Sequence, residues 1–241
     1  MQTPALNIDT LRRGCAHCSL QQLCLPAGIG PDALRQLDDI VRQRRPIARG
    51  ESLFRVGDRL QAVYVAREGA FKTVAISEEG EERIVGFHLP GELIGLDALG
   101  ADRHRCEAIA LTASNVCEVP FDQLTGIASR VPGLQHQLLR VIGQSVGRDQ
   151  DHFDILVRRQ ASERIALFLH GLGERLRTLG ESPTTFRLPM SREEIARFLG
   201  LALETVSRGF TRLQEDQVIA VAGRRVEILQ PDALDRLAHG T

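Results

Sequence analysis

The sequence predicts an α+β chain: an N-terminal β-roll or jelly roll, a long connecting helix and a C-terminal winged helix-turn-helix. Three observations carry this. Between Ile47 and Phe121, short alternating runs such as SLFRV, AVYVA, AFKTVAI and RIVGFHL are parted by Gly50, Gly57, Gly69, Gly80 and Gly91, so turn signals recur every seven to twelve residues. From Pro132 a helical pattern runs on to about Val157. In SREEIARFLGLALETVSRGFTRLQEDQVI, two short amphipathic segments are separated by a glycine.

Composition bounds what the chain can do. Its 241 residues are 43% hydrophobic, enough for two modest cores rather than one. Apolar runs fall far short of the roughly eighteen residues a membrane span needs, and no positive start precedes an apolar block, so a soluble, cytoplasmic protein without a membrane partner is expected. Net charge is −1, and the stretch from Arg159 onward holds 12 arginines against 11 acidic residues. Bulk charge therefore does not announce nucleic acid, and any DNA binding must rest on local placement of arginine. No nucleophile with a paired base, phosphate-cradling glycine loop or metalloprotease helix is present, which argues against an enzyme.

The elements follow in order. Residues 1–30 form a segment carrying GCAHCSLQQLC, with three of the five cysteines within ten positions. In a reducing compartment an odd, clustered set reads as metal ligation or thiol chemistry rather than a disulfide framework. Residues 31–130 are expected to form the β-roll domain. It opens with PDALRQLDDIVRQRR, where Leu34, Leu37, Ile40 and Val41 share one helical face. Residues 131–158 are expected to form a helix with a seam of Leu139, Ile142, Val146, Phe153 and Leu156. The same register collects Asp149. In a parallel pair of helices two Asp149 carboxylates would approach each other; alternatively the helix packs on its own domain and Asp149 faces water.

Residues 159–241 are expected to form the DNA-binding domain. Ser191 followed by Glu194 is a capping-box start, Gly200 a stop, and a second helix begins near Ala202 with Val206, Phe210 and Leu213 inward. VIAVAGRRVEIL reads as two short strands about a turn at Gly223, the wing. Glu204, Ser207 and Arg208 then share the exposed face of the second helix. Arginine can donate twice to guanine, glutamate can accept from cytosine, and serine adapts. Arg212 and the wing pair Arg224 and Arg225 suit phosphate contacts, although Glu204 and Arg208 would also make an ordinary i,i+4 surface pair.

Cys15, Cys18 and Cys24 have the form C-x2-C-x5-C, and thiolates suit zinc or iron–sulfur clusters, each usually held by four. Spacing alone leaves Cys106 and Cys117 equal candidates for the fourth. The layout as a whole resembles the fumarate and nitrate reduction regulator (Fnr) family, the oxygen-sensing branch of the cyclic-AMP receptor protein family. The resemblance is carried by the three clustered cysteines, by 92 further residues to the cysteine of NVCEVPF, by GFHLPGELIGLDALG and by LETVSR. It implies that Cys15, Cys18, Cys24 and Cys117 hold a labile [4Fe-4S] cluster and that Cys106 stands outside. It also implies a homodimer when the cluster is bound, with Asp149 as a repulsive charge within the interface, and a palindromic double-stranded DNA target with a half-site similar to TTGAT. RNA polymerase is an implied partner, with the acidic loop SEEGEE (77–82) similar to an activating surface. Two alternatives of the same fold are a cyclic-nucleotide-gated regulator and a zinc-dependent one. Against the nucleotide, Leu96 stands where a ribose-binding glutamate is expected and Arg105 is followed by Cys106 rather than a hydroxyl.

Overall fold

The computed structural model describes residues 14–43, 46–77 and 80–239. A short 3-10 turn at Cys15–His17 precedes α1 (Pro31–Ile40), which starts on Pro31 and buries Ala33 and Leu37. The helix ends at Ile40, one residue before Val41; the chain turns extended there and runs into β1 (Arg42–Gln43).

Among the described residues, eight strands build the roll: β1, β2 (Ser52–Phe54), β3 (Ala62–Glu68), β4 (Phe71–Ile76), β5 (Glu82–His88), β6 (Leu93–Ile94), β7 (Glu107–Ala110) and β8 (Asn115–Pro120). They form two antiparallel sheets, ordered β1-β8-β3-β6 and β2-β7-β4-β5. Tyr64, Ala66, Phe71, Ile94, Ala108 and Val116 fill the space between the sheets. Strand β3 departs from simple alternation, since Ala62 to Ala66 are all buried. Its second face is covered too: Val63 and Val65 join Leu25, Leu37, Leu124, Leu134 and Val141 in a core beneath the helices.

Helix α2 (Phe121–Ala128) leads into α3 (Pro132–Val157), which has Pro132 at its first position, where a missing amide hydrogen costs nothing. Helix α3 buries Leu134, Gln137, Val141 and Ile155 on one side. On the other side Leu139, Val146, Phe153 and Leu156 are exposed, Phe153 to 65%.

The C-terminal unit consists of α4 (Ala161–Thr178), β9 (Thr185–Arg187), α5 (Arg192–Leu199), α6 (Leu203–Glu215), β10 (Ile219–Ala222), β11 (Arg225–Ile228) and α7 (Pro231–His239). Its sheet has the order β10-β11-β9, so the expected two-stranded wing gains a third strand. The capping box at Ser191 and Glu194 is complete, and the Gly200 amide returns to the Ala196 carbonyl at φ 62°, a left-handed conformation that glycine adopts without steric cost. Lys72 Nζ lies 2.9 Å from Glu194 Oε1, and Arg175 reaches Glu92 at 2.7 Å, so charged pairs cross between roll and C-terminal unit. No described helix is long and apolar enough to cross a membrane.

Two glycines of α4 make a test of this packing. A methyl at Gly173 would sit 2.4 Å from the Pro183 carbonyl oxygen, whereas one at Gly171 would meet nothing within 4 Å. Gly173→Ala should cost about 1–3 kcal/mol and lower the thermal midpoint. Gly171→Ala should leave it unchanged or raise it slightly.

Candidate cofactor pocket and DNA-reading face

The cysteine segment wraps back on the roll. Cys15 sits in the 3-10 turn, where its amide donates to Asp38 Oδ1 of α1 at 2.6 Å. Further bonds from Gln21 to Cys18, from Cys24 to Leu20 and from Ala27 to Cys24 coil the segment. Cys117 lies in the middle of β8, paired with Val65 of β3 and Gln43 of β1. The four sulfur-bearing residues Cys15, Cys18, Cys24 and Cys117 line a single cavity of about 30 Å³. Leu20, Leu25, Pro26, Leu37, Val41, Val65 and Val119 make most of its wall apolar, and Gln21 and Arg67 complete it. All five cysteines are free thiols. Burial pushes the Cys24 thiol up to about 12, and burial likewise raises Cys15 and Cys117, with the Asp38 carboxylate adding to the effect at both. Proton release therefore has to accompany any metal binding here. Among the described residues, no three His, Cys, Asp or Glu side chains form a group that could hold a metal ion. His17 is exposed and is absent from the cavity lining.

Cys106 is elsewhere. It is buried in the core between the sheets, beside Asp97. Sequence reasoning gave Asp97 no role, yet it organises this corner. One carboxylate oxygen accepts from the amides of Arg105 (2.7 Å) and Cys106 (3.2 Å), while the other lies 3.2 Å from His104 Nδ1. Burial alone would raise the Asp97 pKa, but these bonds hold the carboxyl below its usual range. A nucleotide phosphate seated beside Arg105 and Cys106 would have to displace that internal anion.

In the C-terminal unit, α5 and α6 cross about the turn at Gly200–Ala202, and Glu204, Ser207, Arg208 and Arg212 are all exposed on α6. Arg212 lies 3.8 Å from Asp216. Of the wing arginines, Arg225 is exposed, whereas Arg224 donates to the Pro189 carbonyl at 2.9 Å and so braces the wing. A residue missed from the sequence is Arg192, whose guanidinium lies 3.2 Å above the Phe210 ring and ties α5 to α6. Nothing in its spacing marks it, because the contact exists only once the helices cross. On α3, Ile142 is half-buried and Asp149 is exposed. Partial burial nonetheless raises the Asp149 pKa, against the opposing pull of Arg148 and His152.

A β-roll joined by a long helix to a winged helix-turn-helix is the build of a DNA-binding transcription regulator. The comparisons agree. The "Crp-like helix-turn-helix domain" family matches residues 163–237 and the "Cyclic nucleotide-binding domain" family residues 44–130. The transcriptional activator protein Anr of Pseudomonas protegens is 47% identical, over 94% of this chain and 93% of its own. The fumarate and nitrate reduction regulatory protein of Escherichia coli is 41% identical, over 94% and 91%. Among solved structures, FixK2 from Bradyrhizobium japonicum superposes with a TM-score of 0.75 at 28% identity, covering 82% of this chain and 97% of that one. The chain belongs to the Fnr and Anr family of transcription regulators, a branch of the cyclic-AMP receptor protein family.

Asp97→Asn keeps the shape but weakens the acceptor for two amides. It should cost about 1–3 kcal/mol of stability, read as a lowered thermal midpoint. Millimolar cyclic AMP should leave the wild-type midpoint unmoved, and a clear upward shift would restore the nucleotide-gated reading.

Proposed function

We propose that this regulator responds to oxygen: Cys15, Cys18, Cys24 and Cys117 hold a labile [4Fe-4S] cluster, the cluster-bound protein dimerises, and the dimer binds palindromic DNA with a half-site similar to TTGAT to control anaerobic gene expression in the cytoplasm. The observation that carries the reading is the convergence of four cysteines, three in one segment and one separated from it by 92 residues, on a single cavity with mainly apolar walls. The donor set fits the group: all four are soft sulfur ligands, and each iron of such a cluster takes one thiolate, so the sulfurs need not meet at a point. When bound, the cluster supplies a tie among the four thiolates that oxygen can destroy.

The rest is done by the chain. Cys15, Cys18 and Cys24 lie in the segment of residues 1–30, and Cys117 in the roll of residues 31–130, so ligation pins one to the other. The pinned segment packs on α3, the centre of the pairing helix assigned to residues 131–158. Leu139, Ile142, Val146, Phe153 and Leu156 form the pairing seam, and Asp149 sets two like charges against each other within it. Pairing is therefore marginal, and a few kcal/mol from ligation are enough to shift it. The dimer would hold two units of residues 159–241 one DNA turn apart. Glu204, Ser207 and Arg208 would then read base edges while Arg212 and Arg225 meet phosphates. RNA polymerase is the proposed further partner. Glu78 and Glu79 of the acidic loop assigned to it lie outside the described residues, while Ser77 and Glu81 close its turn.

Protein purified without air should absorb broadly in the visible and contain iron and sulfide. Serine at any one of the four cysteines should abolish both, while Cys106→Ser should not. Exposure to air should convert dimer to monomer and release the operator. Asp149→Ala should dimerise and bind operator without iron, and persistent monomers in sedimentation would count against the role given to that charge. Arg208→Ala should cost about 1–3 kcal/mol of operator affinity, concentrated at one guanine position.

A further inference from the structure

We infer that Gln137 is the residue that couples the cysteine segment to the pairing helix: its buried amide, donating to the Cys24 main-chain carbonyl, makes α3 follow the position of Cys24. The inference rests on the reading above, in which thiol ligation governs pairing, and names the positioning residue that transmits it.

Gln137 lies in the second turn of α3 and is 7% exposed. It belongs to the inward face, between Leu134 and Val141, where an aliphatic side chain would be the ordinary occupant. A primary amide buried there without a partner would be strongly unfavourable. Its partner is Cys24, with Nε2 donating to the carbonyl oxygen at 2.9 Å across 113 residues of sequence. The acceptor is a main-chain atom, so the bond registers where Cys24 is rather than what side chain it carries.

The surrounding contacts between segment and helix are apolar. Leu25 shares a core with Leu134 and Val141, and Ile29 lies beside Gly133. Such contacts tolerate sliding, because burial has no direction. A hydrogen bond weakens steeply with distance and angle, so the Gln137 amide is the contact that resists a shift of the loop. Leu139 and Ile142, the first seam residues, follow two and five positions later on the same rigid helix. A displacement of Cys24 by ligation or its loss is thereby passed to the seam.

The test compares wild-type full-length protein with Gln137→Met, of similar length but without a donor, and Gln137→Glu, which sets a second acceptor against the carbonyl. Iron and sulfide are assayed, the dimer dissociation constant is measured by sedimentation with and without iron, and amide hydrogen exchange across residues 18–29 is followed in the iron-free protein. Gln137→Met should hold as much iron as wild type. Its ratio of iron-free to iron-bound dissociation constants should shrink by about five- to tenfold, and exchange across 18–29 should accelerate by about fivefold. Gln137→Glu should show the larger effect on both, with an unchanged circular dichroism spectrum confirming the fold. An unchanged ratio in iron-loaded Gln137→Met overturns the inference, as does unchanged exchange in iron-free protein. Loss of iron in Gln137→Met also overturns it, since Gln137 would then belong to the ligation pocket. A wild type without iron defeats the four-thiol reading instead, and the exchange measurement still decides whether Gln137 anchors the segment.

Discussion

A helix can hide only one side of itself against its own chain, and α3 illustrates the consequence. Leu134, Val141 and Ile155 are buried inward, while Leu139, Val146 and Phe153 stand in water. Isolated exposed apolar side chains are ordinary on a protein surface. With half-buried Ile142 and exposed Leu156 these three make one row between positions 139 and 156, a patch of the kind that suits a partner surface. What the inner face rests on then matters, because a rigid rod repositioned on one side presents a different surface on the other. That inner face rests on the Cys24 segment near its start and on the C-terminal unit near its end, where the His152 ring stacks on Phe198 at 3.7 Å.

The contact between roll and C-terminal unit combines burial with charge. Phe87 of β5 packs 4.8 Å from Phe198 of α5, so strand and helix share one apolar cluster. Around it, Arg175 of α4 holds both carboxylate oxygens of Glu92 at 3.0 and 2.7 Å. Glu194 closes the capping box of α5 and also pairs with Lys72 of β4. Burial would raise its pKa, but the Ser191 amide and the Lys72 ammonium together keep the carboxyl below its usual range. These pairs are partly buried and hydrogen-bonded on more than one side, which separates them from exposed surface pairs of little net value. Their geometry sets the first reading-unit helix against the outer face of the second sheet.

How much of this was legible in the chain follows from how local each cause is. The capping box, Gly200 and the apolar steps of α5 and α6 act within a turn or two, so SREEIARFLGLALETVSR discloses its own structure. Strand β9 is three residues of TFR with no period to read, and it exists because β11 offers it an edge. The continuous burial of β3 depends on helices packing over its second face, which no alternation rule reports. Three cysteines are visible as a cluster, whereas spacing chemistry could not choose between Cys106 and Cys117; the register of β8 against β3 is what turns Cys117 toward the loop. Asp97 and Gln137 carried no signal at all. Each is defined by a main-chain atom brought near by folding, and main-chain atoms leave no mark on the identity of distant residues.

The charge balance by itself does not suggest DNA. Twelve arginines and eleven acidic residues from Arg159 onward nearly cancel, but they are not distributed evenly once folded. Arg175 is neutralised by Glu92 and Arg197 by Glu82 and Glu193, which lie where the unit meets the roll. Arg208 and Arg225 remain exposed on α6 and the wing. Charges within about a Debye length dominate what a phosphate backbone feels, so a near-neutral unit can still present a locally basic face. Net charge is a property of the whole sequence, while the field along α6 depends on which charges folding places beside it.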